Sequence, residues 1–163
     1  MLSLLLSGAV LLGVGTTTRV GEDSPAFVMA ADARRGWVQG EAWLTTAPKL
    51  ESQDGWASRL GMDFWSGPIS LGASWAHRET SLWSKDRLFI RASTQHGPLR
   101  LIAEVAPDSP NLEAKGEARL RRSAPAWGGR VVLEPRAFVQ THSTVEELGG
   151  YAWGFAMLVG VGK

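Results

Sequence analysis

Residues 111–122 read NLEAKGEARLRR, and the period of this stretch decides what kind of fold the chain adopts. Glu, Ala, Lys, Leu and Arg all favour helix, so composition alone points that way. The order of the residues points elsewhere. Leu112, Ala114, Gly116, Ala118 and Leu120 alternate with Glu113, Lys115, Glu117, Arg119 and Arg121, which is the two-residue period of a strand. A helical stripe through Leu112, Gly116 and Leu120 exists as well, so the neighbouring segments have to arbitrate.

The C-terminal stretch YAWGFAMLVGVGK arbitrates most clearly. Tyr151, Trp153, Phe155, Met157, Val159 and Val161 fall on one face, and Ala152, Gly154, Ala156, Leu158, Gly160 and Gly162 on the other. Its glycines disfavour helix, while its aromatic and β-branched residues favour strand. The same alternation recurs upstream. Trp56, Ser58, Leu60, Met62 and Phe64 oppose Ala57, Arg59, Gly61 and Asp63; Leu71, Ala73 and Trp75 oppose Gly72, Ser74, Ala76 and Arg78. Leu88 and Ile90 oppose Phe89 and Arg91, Leu99 to Val105 oppose Arg100, Ile102 and Glu104, and Val131 to Val139 oppose Arg130, Glu134 and Arg136. Phe27, Met29 and Ala31 against Val28, Ala30, Asp32 and Arg34 make a further strand. In residues 37–46, Gln39 and Glu41 share a face with Trp43, which leaves the orientation of that strand open. Pro135 removes a ladder donor and predicts a bulge or an edge.

With 163 residues the chain is read as one domain spanning residues 1–163. A net charge of +1 gives no reason to expect a nucleic-acid partner, and zero cysteines exclude disulfides and thiolate metal sites. His77, His96 and His142 show no metal-ligand spacing, so neither a metal nor a cofactor is expected. Residues 2–14 are apolar enough for a signal-peptide core, but no Lys or Arg precedes them and they are too short for a spanning helix. The favoured reading is a strand with Ala9, Leu11, Gly13 and Gly15 on one face. Between strands, polar links such as APKLESQDG, RETSLWSKD and THSTVEELGG mostly alternate with tighter turns such as ARRG, WSGP and QHGP. Up-and-down order then puts both chain ends on one side.

The fold class expected is all-β: an antiparallel up-and-down transmembrane β-barrel of about 8–10 strands, whose strands have the roughly 9–11 residues a tilted membrane strand needs. Its polar face carries Asp32, Glu41, Asp63, Glu104, Glu113, Glu117 and Glu134 against Arg34, Arg59, Arg78, Arg91, Arg100, Lys115, Arg119, Arg121, Arg130 and Arg136. Charges of both signs pair well across a narrow lumen, although a water-facing outer surface would give a similar inventory. Trp56, Trp75, Trp83 and Trp153 fall toward the long-link side, and Trp65 and Trp127 toward the short-turn side. With Tyr151 these would form an aromatic girdle at the two membrane interfaces, although Trp83 sits inside a polar link.

These features together resemble a small bacterial outer-membrane β-barrel protein, an architectural likeness that picks out no specific family. The terminal VGVGK departs from the aromatic C-terminal residue common in such proteins. The resemblance implies a bacterial outer-membrane location and a lipid bilayer as partner, with lipopolysaccharide or an envelope protein as further candidates. The function expected is a non-enzymatic membrane scaffold or structural protein with a side-chain-filled lumen, or a narrow, porin-like pore. Two alternatives stand beside it. One is a lipid-modifying hydrolase similar to lipid A deacylases, using His142, Ser143 and Glu146; here His and Ser are adjacent, which differs from that family's spacing. The other is a soluble periplasmic barrel binding an apolar ligand. Links this short fit neither an omptin-like protease nor an adhesin.

Overall fold

A computed structural model describes residues 7–19, 22–47, 55–65, 67–80, 84–107, 113–144 and 147–162. Alternation becomes strand throughout. The elements are β1 (Ser7–Arg19), β2 (Glu22–Arg35), β3 (Val38–Thr46), β4 (Gly55–Trp65), β5 (Ser70–Thr80) and β6 (Ser84–His96), followed by β7 (Leu99–Ala106), β8 (Glu113–Leu120), β9 (Arg122–Ala126), β10 (Gly129–Thr144) and β11 (Glu147–Gly162). Each pairs antiparallel with its sequence neighbours, save that β8 and β9 both pair with β10, and β11 returns to pair with β1, closing a ten-stranded up-and-down barrel. Closure leaves the wall without sheet edges except where β9 protrudes. Residues 7–14 therefore belong to a strand, Leu12 standing opposite Met29 on one side and Val159 on the other.

Eleven strand segments make ten walls because β8 and β9 are one strand interrupted. Arg119 lies opposite Arg136 and Arg122 opposite Leu133, so the register against β10 continues across the break. Pro135 causes the break by having no N–H to give; the consequence is a lapse in the ladder, with neither bulge nor edge. Opposite it, the Arg121 amide donates to the Pro98 carbonyl at 2.9 Å.

Gly36, Gly97 and Gly128 adopt φ of 59°, 57° and 81° in the tight turns after β2, β6 and β9, a region costly for residues with a Cβ. These turns and both ends of the described chain lie at one end of the barrel. At the other end the sequence links are partly strand. Residues 22–25 of VGEDSP belong to β2, and THSTVEELGG contributes to β10 and β11, so β10 and β11 reach 16 residues each while β7 and β8 have 8. The wall is tallest around the β10–β11–β1–β2 seam.

The faces sort cleanly. Val10, Leu12, Phe27, Met29, Leu44, Leu60, Met62, Leu71, Leu88, Ile90, Leu101, Leu133, Phe155, Met157 and Val159 all point outward and are exposed. Inside, a small apolar cluster of Ala9, Leu11, Ala30, Val132 and Leu158 lines the seam. Glycines let the seam strands close up: a Cβ on Gly160 would stand 1.8 Å from the Val10 carbonyl oxygen, and one on Gly13 2.0 Å from that of Met157. Most of the remaining interior is polar or charged, with Phe89 and Ile102 buried among it.

Candidate functional site

The opening segment supplies one wall of that interior. In β8 the charged face turns inward, so Glu113 and Arg119 are buried and Lys115 and Glu117 nearly so, while Ala114, Gly116 and Ala118 face outward. Strand β3 does the same, which settles its orientation: Gln39, Glu41 and Trp43 all face in. Trp43 belongs among charges because its ring face accepts two cations, the Arg59 guanidinium at 5.3 Å and the Lys115 ammonium at 5.2 Å.

Glu41 is the hub at the waist of the lumen. Arg119 from β8 forks onto it with both terminal nitrogens at 2.8 Å, Arg136 from β10 reaches it at 2.8 Å, and Arg59 from β4 approaches to 3.8 Å. Arg119 also holds Glu117 at 2.7 Å, and Lys115 meets Glu117 at 3.2 Å. Arg59 forms an ion pair with Glu104 at 2.9 Å, and the Ser74 hydroxyl donates to the other oxygen of that carboxylate at 3.2 Å. Toward the end bearing the tight turns, Arg121 pairs with both Asp32 and Glu134, and Arg136 pairs with Glu134 as well. Arg34 and Arg91 share Asp63, the former at 3.2 Å. At the opposite end Glu113 receives Lys85 at 2.7 Å and Arg87 at 3.3 Å.

Bringing an unpaired charge into such a space is costly, and most of the network answers that cost with forked, charge-assisted bonds. It divides the lumen in two. A cavity of about 250 Å³ lies on the tight-turn side of Glu41, and one of about 100 Å³, lined by Trp43, Lys115, Phe138 and Leu158 among others, on the opposite side.

Most of the charged face read from the sequence meets in this network: Arg59, Asp63, Arg91, Glu104, Glu113, Lys115, Glu117, Arg119, Arg121, Glu134 and Arg136, together with Asp32, Arg34 and Glu41. Arg78 faces the lumen and lines the smaller cavity. Arg100 also faces in, but its one hydrogen bond among the described residues goes to Gln39. Arg130 is a correction: it lies beyond the rim, exposed, and bonds the Ser123 hydroxyl at 2.9 Å. Lys85 and Arg87 are missed by a reading that ends their strand at Leu88. Counting back by twos from Phe89 and Arg91 would have placed both on the inner face.

Outside, Trp56, Trp65, Trp75, Trp127 and Trp153 are exposed, and Trp37 joins them at the tight-turn end. Trp65 is turned out by a register shift between Asp63 and Trp65 that leaves Phe64 and Trp65 both exposed. His77 sits beside Trp56 and Trp75, ring centroids 4.8 and 6.1 Å away, with Nδ1 3.0 Å from Asp86. The Trp56 indole donates to Glu79 at 3.0 Å. The side chain of Tyr151, and Trp83 and Glu146 entirely, lie outside the described residues. The backbones of His142 and Ser143 run in β10 beside an irregularity between His142 and Thr144.

Among the described residues no group of His, Asp and Glu is arranged to hold a metal ion. No known protein family, curated protein or solved structure matches this chain, so its chemistry has to be argued from its own residues.

Proposed function

We propose that this chain spans a bacterial outer membrane as a non-enzymatic structural barrel whose lumen is shut at the waist by side chains. One observation carries the reading: the barrel is inverted relative to a water-soluble one. Its outer face is a band of exposed leucine, isoleucine, valine, methionine and phenylalanine, while Glu104 and Glu134, each 1% exposed, lie inside. Apolar surface in water costs about 25 cal/mol per Å², and soluble monomers rarely display contiguous apolar patches beyond a few hundred Å². Against lipid the same band is favourable, and a polar interior is what a membrane barrel accommodates. The exposed tryptophans at the strand ends support it, with Trp56 toward one end and Trp37, Trp65 and Trp127 at the other, because indoles favour the headgroup level; Trp75 and Trp153, expected at an interface, stand near mid-strand instead. By analogy with such barrels, the tight-turn end faces the periplasm.

Detergent dependence tests this. The folded chain is expected to stay monodisperse only in micelles or vesicles; a monodisperse, folded chain after detergent removal would refute the membrane reading in favour of a soluble barrel. A second reading, a narrow pore, is favoured by the two cavities on either side of Glu41. Reconstitution in a planar bilayer separates them. The closed scaffold gives no steady conductance, and a reproducible single-channel current would mean that the waist opens.

A further inference from the structure

The cavity on the tight-turn side of the waist has a charge imbalance that the network does not cancel. Arg34, Arg59, Arg91, Arg100, Arg119 and Arg121 line it, against three carboxylates, Asp32, Glu41 and Glu134. Those carboxylates are already engaged, Asp32 by Arg121, Glu134 by Arg121 and Arg136, and Glu41 by Arg59, Arg119 and Arg136. Three cations remain around a single acid. Arg34 and Arg91 both lean on Asp63, and Gln39 donates to it at 3.4 Å. Arg100 reaches only the Gln39 amide oxygen, at 3.1 Å, and makes no ion pair among the described residues.

A second, independent observation points to a missing acceptor. Arg59 and Arg91 are 6% and 3% exposed, and each has a buried Nε–H with no hydrogen-bond partner among the described residues. Buried donors of a charged group are costly to leave unmet. Access is available, because the Arg34 and Arg121 side chains are 41% and 38% exposed. Planar guanidinium forks match the paired oxygens of a phosphate or a similar oxyanion, and a cavity of about 250 Å³ leaves room for one with several waters.

We infer that this vestibule binds a multiply charged oxyanion of the phosphate class, with Arg100, Arg34 and Arg91 as its principal ligands. The site goes beyond a purely structural role and stands on the lumen geometry alone, so it can be tested whether or not the membrane reading holds. Inorganic phosphate titrated calorimetrically into the folded chain, in non-ionic detergent at low ionic strength, is expected to give one saturable site. If the chain proves soluble, the same titration is run in buffer. Arg100→Gln should weaken binding by roughly tenfold or more, the loss of one charge-assisted contact. Arg100→Lys should recover part of it, and Arg35→Gln, on the outward rim, should leave it unchanged. If Arg100→Gln does not fold, Arg34→Gln serves the same purpose. Glycerol phosphate competing as well as inorganic phosphate would indicate a lipid-headgroup source; failure to compete would indicate the free ion. Absence of saturable binding up to about 10 mM phosphate, or wild-type affinity in both arginine variants, would overturn the proposal.

Discussion

Strands β8 and β11 flank β10 on its two sides, alternate with the same period, and are built as opposites. Strand β8 turns its long charged side chains inward and keeps a slim outer face of Ala114, Gly116 and Ala118. Strand β11 turns Trp153, Phe155, Met157 and Val159 outward and keeps Gly154, Ala156, Leu158 and Gly160 inside. The difference shows how a ten-stranded lumen is filled. Arg136 leaves β10 and reaches Glu41 on β3, and Arg121 reaches Asp32 on β2. In the barrel order β11 and β1 lie between those strands, so the arginines bridge over the seam. The inner face of the seam carries only short or uncharged side chains, and the bridges pass over them. Phe138 uses the same space: a Cβ on Gly154 would stand 2.4 Å from its ring.

The strongest way to break that contrast is to give the seam a side chain. Gly160→Val would place Cβ where the Val10 carbonyl oxygen stands 1.8 Å away, and that neighbour is backbone that cannot swing aside. The β1–β11 closure should fail, at a cost above about 4 kcal/mol, and the chain should lose the strand signal of its circular dichroism. A wild-type spectrum and stability for Gly160→Val would mean the seam is looser than the geometry states.

The next largest effect should come from the other wall. Glu41→Ala leaves the guanidiniums of Arg59, Arg119 and Arg136 facing one another without their shared carboxylate. Removing one partner of a buried ion pair costs about 3–5 kcal/mol, which urea unfolding from vesicles can measure. A loss below about 1 kcal/mol would place these charges in water and make the waist hydrated rather than packed.

Much of this was legible before any coordinates. The period of NLEAKGEARLRR and YAWGFAMLVGVGK gave strands, and the charged face of the former predicted that Glu113, Lys115, Glu117, Arg119 and Arg121 share a wall. Partner choice was not legible. Arg121 to Asp32 and Arg119 to Glu41 join residues 89 and 78 positions apart, and such pairing depends on barrel closure and stagger rather than on local sequence. Strand ends were also hidden, because residues such as Glu22 and Glu147 read as polar links yet continue the ladder. The inward turn of Trp43 was hidden for a related reason: its cations arrive from β4 and β8.

The smallest of the three effects asks whether the outer faces of the strands share one environment. Leu60 lies halfway along β4, opposite Gly40 on one side and Trp75 on the other, and points outward with its side chain exposed. If that face meets lipid, Leu60→Arg should cost about 2–4 kcal/mol, as arginine does at a bilayer midplane, with the loss read from unfolding in vesicles. If the face meets water, the substitution should change stability by less than about 0.5 kcal/mol and improve solubility. The network inside the barrel is not touched by this substitution, so the result bears on the medium outside and leaves the packing of the lumen as a separate question. That separation is what gives the experiment its force: the charged wall would hold in either medium, and only the greasy band can say which one the chain was built for.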